Sequence, residues 1–118
     1  MARPKRIKLG AHVIPVKYHK AYLTCDEAGD GVVEITEDGD IGMMTLANAW
    51  TIHVSEHSAD HGITMLHECF HAIMRTTGTN RLLDSREAEE CIVAGFSQAV
   101  VELLRRNPGL AEYLVKGE

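Results

Sequence analysis

Thr64-Met65-Leu66-His67-Glu68-Cys69-Phe70-His71-Ala72-Ile73-Met74 is the stretch on which the reading of this chain turns. Ile63, Leu66, Phe70, Ile73 and Thr77 recur at spacings of 3, 4, 3 and 4, a helix period. From Asp60 to Thr77 there is no Pro and one early glycine, Gly62. On a helix, His67 and His71 lie on one face, about 5–6 Å apart at Cβ. Two imidazoles so placed can grip one Zn²⁺ at about 2.0–2.1 Å from each nitrogen. Glu68, between them, is placed to take a proton from an attacking water. With Leu66 at zero on the helical wheel, Ile63, Phe70 and Met74 fall between about 40° and 80°, His67 near 100°, His71 near 140° and Glu68 near 200°. Both imidazoles therefore border the apolar stripe and face a cleft. Ser58 is the expected N-cap, with Glu56 and Asp60 near the positive helix end, and Gly78 the expected stop.

A catalytic zinc keeps three protein ligands and one open position. The histidines are His12, His19, His53, His57, His61, His67 and His71, so none follows the motif. A downstream third His is excluded, and the donors that remain are Asp84, Glu87, Glu89, Glu90, Glu102, Glu112 and Glu118. Ser85 opens a second helix carrying two apolar rows. Glu90, Val93, Ser97, Val100 and Leu104 form one row; Glu89, Ile92, Phe96, Ala99 and Leu103 form the other. The helix is expected to bury a wide face with a Glu at its start. Periodicity does not choose between Glu89 and Glu90, and Glu87 reads as a complement to the helix dipole.

These residues resemble the ImmA/IrrE-like zinc peptidases, in the minimal stand-alone form common in phages and prophages. The resemblance runs from Thr51 to Leu114 and rests on Thr64-Met65-Leu66-His67-Glu68 and on Glu90-Cys91-Ile92-Val93-Ala94-Gly95-Phe96-Ser97 with Leu103-Leu104-Arg105-Arg106-Asn107-Pro108 after it. Cys91 and Cys69 depart from the family pattern, and none of these 118 residues is expected to form the helix-turn-helix domain of larger relatives. The resemblance implies a gluzincin: His67, His71 and Glu90 as zinc ligands, Glu68 as general base, and an endopeptidase acting on a protein or peptide. Relatives of this kind often cut or bind repressors, so a repressor is one substrate it suggests. It also implies that the strand before the motif helix, Thr51–Val54, is the sheet edge that pairs with substrate. Two other classes fit the same residues: a zinc-binding regulator without turnover, and a phage structural protein whose metal stabilises the fold.

The rest of the chain bounds these readings. Its 118 residues suit one domain and one modest core, 1–57 mostly strands and 58–118 helical. Ile7–Leu9 and His12–Tyr18 flank Gly10-Ala11, a hairpin signal; Val32–Thr36 and Ile41–Leu46 flank a second at Glu37-Asp38-Gly39-Asp40. Strands followed by two long helices and a short one near Gly109–Lys116 predict an α+β domain, an antiparallel sheet packed on the helix pair that carries the metal site; with the resemblance, this becomes a small zincin-like domain. No apolar run approaches the ~18–20 residues of a membrane helix. The basic Met1–Arg6 lacks a following apolar stretch, so it does not read as a signal peptide. Three cysteines without a C-x-x-C pattern suit a reducing cytoplasm, that of the host if the chain is phage-encoded, and Cys25, Cys69 and Cys91 read as buried thiols. Six of the 12 basic residues lie in the first 20 positions, and net charge is −5, a poor balance for direct nucleic-acid binding. His53, His57 and His61 are candidates for steadying an oxyanion.

Overall fold

The computed structural model describes residues 3–20, 22–25, 32–35, 42–45 and 51–117. β1 (Arg6–Leu9) and β2 (His12–His19) form the expected first hairpin, with Leu9 opposite His12. Its two-residue turn places Gly10 at φ +58°, where a side chain is disfavoured. β3 (Tyr22–Cys25) and β4 (Val32–Ile35) form a separate antiparallel pair. β5 (Gly42–Thr45) and β6 (Thr51–Ser55) complete a four-stranded sheet of order β1-β2-β6-β5.

Three sequence expectations are corrected by this topology. The sheet is mixed rather than antiparallel, because β6 returns parallel to β2, with Val16 beside Ile52 and His19 beside Ser55. The long chain between these strands permits a parallel return, which local hairpin signals do not report. The second predicted hairpin does not pair with itself: β4 pairs with β3, a strand the sequence reading missed, and β5 pairs with β6. Its turn residues, 36–41, lie outside the described residues. Finally, Thr51–Val54 is not a sheet edge. β6 is flanked by β2 and β5, and the edge beside it is β5.

Side-chain alternation along β2 and β6 sends Ile14, Val16, Ile52 and Val54 to one face. There they form the core with Ala72, and Ile7, Leu9, Tyr18, Met65 and Cys69 pack around it. This apolar layer seats helix α1 (His61–Thr77) against β5 and β6. Asp60, not Ser58, caps α1: its Oδ1 accepts from the Ile63 backbone N–H at 3.1 Å. Ser58 is buried, and its hydroxyl has no hydrogen-bond partner among the described residues. Gly78 ends α1 at φ +75°, as expected of a left-handed stop. Thr64, Glu68, Ala72 and Met74 are the buried positions of α1, whereas Ile63, Leu66, Phe70 and Ile73 are half-buried. The buried face is thus turned from the predicted stripe, because the helix is covered on two sides, by the sheet and by a second helix.

That second helix, α2 (Arg86–Arg106), follows a short 3₁₀ turn at Thr79–Leu82 and is capped by Ser85, whose Oγ accepts from the Ala88 N–H at 3.1 Å. Two contacts fix it antiparallel to α1. Near its start Glu89 meets His71; at its end Arg105 forks onto Asp60 at 2.6 and 3.0 Å. That guanidinium holds the Asp60 carboxyl well below the usual carboxylate range, reinforced by the Ile63 N–H. α2 buries a narrower face than expected: Glu89, Val93 and Ser97 are covered, whereas Ile92, Phe96 and Leu103 are exposed. α3 (Pro108–Lys116) follows directly. No described helix is long and apolar enough to cross a membrane.

Candidate metal centre

The contact between α1 and α2 brings the motif residues together. His67 and His71, one turn apart, project toward the N-terminal turn of α2, and their Nε2 atoms stand 3.2 Å apart. The Glu90 carboxylate bridges them, with Oε1 2.6 Å from His67 Nε2 and Oε2 2.9 Å from His71 Nε2. The nearest donor atoms of His67, His71 and Glu90 all lie within 4.8 Å of one another, so this group could hold a metal ion. It is the only such group of three or more donors among the described residues. The imidazoles are largely buried, while the Glu90 side chain is 57 % exposed, so the cluster opens to solvent on the α2 side. Burial pushes the His67 imidazole below its ordinary value and His71 adds to this, while the Glu90 carboxylate opposes it. A depressed value favours the neutral imidazole, the form that can ligate.

The sequence left Glu89 and Glu90 equivalent, and the structure separates them. Glu90 reaches the Nε2 side of the imidazoles, and Glu89 turns to the other edge of His71, its Oε2 2.6 Å from Nδ1. Only one of the two acids therefore joins the donor group. Glu87 is exposed in the first turn of α2, away from the donor group. Glu68 is buried at 5 % exposure, on the sheet-facing row of α1 with Thr64 and Ala72, one helical step round from His67.

The three oxyanion candidates fare differently. Alternation on β6 points His53 away from the core face that α1 covers. On that opposite face its Nδ1 lies 2.9 Å from His19 Nε2, and burial, then His19 and Lys17, lower its pKa to about 4. His53 thus lies across the sheet from α1 and its motif residues. The His57 backbone N–H donates to Ser55 Oγ at 3.1 Å and its side chain is exposed. His61 opens α1, more than a turn before His67, with its ring 3.4 Å from the Glu56 carbonyl oxygen.

The cysteines also separate. Cys91 is exposed, not buried, because its position on α2 lies off the covered face. Cys69 is half-buried behind α1, where burial and then Glu68 push its thiol up to about 11. The side chain of Cys25 lies outside the described residues. Comparison with protein families, with curated proteins and with solved structures finds no match to this chain.

Proposed function

We propose that this protein is a zinc-dependent endopeptidase in which His67, His71 and Glu90 hold Zn²⁺ and Glu68 is the general base. One observation carries the reading: the two imidazoles of H-E-x-x-H and a carboxylate from a second helix converge within 4.8 Å. Two nitrogens on one tetrahedral ion, each at about 2.0–2.1 Å, stand roughly 3.3–3.4 Å apart. The observed Nε2 separation is 3.2 Å. Two imidazoles and one carboxylate are also a donor set that catalytic zinc sites use, and they leave a fourth tetrahedral position open. The ion, when bound, polarises the scissile carbonyl and makes water acidic enough to attack near neutral pH.

The chain's own residues do the rest. Glu68 accepts the proton from the attacking water and passes it to the leaving amine. Being next to His67 in sequence, it flanks the site without ligating. The substrate in this reading is an extended polypeptide. It adds to the outer edge of β5, the terminal strand of the sheet among the described residues, which pairs with β6 and packs against α1. The resemblance noted above makes a repressor-type protein the first substrate to try.

The test is elemental analysis of protein purified without chelator. About one zinc per chain is expected for the wild type, and loss of it in His67→Ala and in His71→Ala. Full zinc in both variants would remove the site.

A further inference from the structure

Glu89 touches the donor group, yet this mechanism leaves it without a role. Its side chain is 11 % exposed, yet it is a carboxylate. A buried carboxylate is retained only with strong partners, since its desolvation must be offset. Its partners are His71 Nδ1 at 2.6 Å and, at 3.6 Å, the guanidinium of Arg75 from the last turn of α1. Helix capping does not explain it, because Ser85 already caps α2. The two nitrogens of an imidazole lie on different edges of the ring. Successive positions of α2 therefore straddle His71, Glu89 on the Nδ1 edge and Glu90 on the Nε2 edge.

We infer that Glu89, with Arg75 behind it, is a positioning residue that fixes the ring and tautomer of His71. An anionic acceptor on Nδ1 keeps the proton there, which leaves the Nε2 lone pair directed at the metal. Arg75 sets a positive charge 3.6 Å from the same Glu89 carboxylate oxygen that meets His71. This inference rests on the zinc reading above. It assigns a function to the second acid of the Glu89-Glu90 pair, which would otherwise be only a helix-start charge.

The experiment titrates Zn²⁺ against a chelator of known affinity, using the full chain as wild type, Glu89→Gln, Glu89→Leu and Arg75→Met. Melting of the zinc-free proteins is measured alongside. Glu89→Gln is expected to weaken zinc about 10–100-fold, Glu89→Leu at least as much, and Arg75→Met less. Co²⁺ spectra of the variants should show a disturbed tetrahedral site. A merely structural Glu89 would lower the melting temperature of the zinc-free protein and leave the zinc affinity of the folded protein unchanged. If Glu89→Leu does not fold, the isosteric Glu89→Gln decides. Zinc affinity of Glu89→Gln within about threefold of the wild type overturns this inference alone, well short of the loss expected for an outer partner. A wild type that takes up no zinc overturns the zinc reading and this inference with it.

Discussion

Replacing Glu90 by Gln keeps the shape of the side chain and removes its charge. In the structure both carboxylate oxygens are engaged, one at 2.6 Å from His67 and the other at 2.9 Å from His71. The amide has one neutral oxygen and one NH₂ group that cannot ligate. Zinc bound by four ligands in small peptides contributes about 10–16 kcal/mol, so an equal share is roughly 3 kcal/mol per ligand. At 1.4 kcal/mol per decade that is about a hundredfold or more in affinity. We expect Glu90→Gln to weaken zinc by about 100–1000-fold. The side chain is 57 % exposed, so the zinc-free fold should lose no more than about 0.5 kcal/mol, as at ordinary surface positions. Glu87→Gln is the matched control, with the same change of charge in the same helical turn. Competition against a coloured chelator measures all three proteins. A Glu90→Gln affinity within a few-fold of wild type, or an equal loss in Glu87→Gln, would refute the assignment of Glu90 as ligand.

Three further outcomes follow from the fold. Asp60→Ala removes the cap of α1 and frees Arg105; the cap alone is worth about 1 kcal/mol, so a melting temperature lower by roughly 3–6 °C is expected. Ile52, fully buried in the middle of the sheet, should cost about 2–5 kcal/mol on truncation to Ala in chemical denaturation, whereas truncation of the exposed Val13 should be nearly silent. His53 titrates at about 4 when folded and near 6.5 when unfolded, so the unfolded chain takes up the proton first. Stability should be full above about pH 6.5 and fall as the pH drops toward 4; melts across that window should decline for the wild type and decline less steeply for His53→Phe.

What could be read from the residues was local, and what could not was mostly non-local. The period of Ile63, Leu66, Phe70 and Ile73, the Gly78 stop and the Ser85 cap are short-range signals, and the structure places the two helices where they indicate. The Gly10-Ala11 hairpin is likewise local. Strand partners are not: the choice of β3 for β4 and of β2 for β6 depends on burial across tens of residues. The edge position of β6 was implied by the resemblance alone, and β6 lies inside the sheet, between β2 and β5. The cap of α1 passed to Asp60 because Arg105, 45 residues away, holds the same carboxylate. His67 and His71 were fixed by spacing alone. Separating Glu90 from Glu89 took either the resemblance or the geometry, since both acids start equally good rows on α2. The role of Glu89 left one trace in the sequence, an acid at a row position the structure buries.

The most direct test of the central claim is peptide cleavage by wild type and Glu68→Gln, both loaded with zinc and offered unfolded and candidate repressor-type polypeptides. Glu68 is not a ligand in this account, so the variant should keep its zinc and its fold. It should cut about 10²–10⁴-fold more slowly, the usual contribution of a general base. Equal cleavage by the two proteins would contradict Glu68 as the base. Tight zinc and tight partner binding with no cleavage by either would contradict the peptidase and leave a metal-binding regulator.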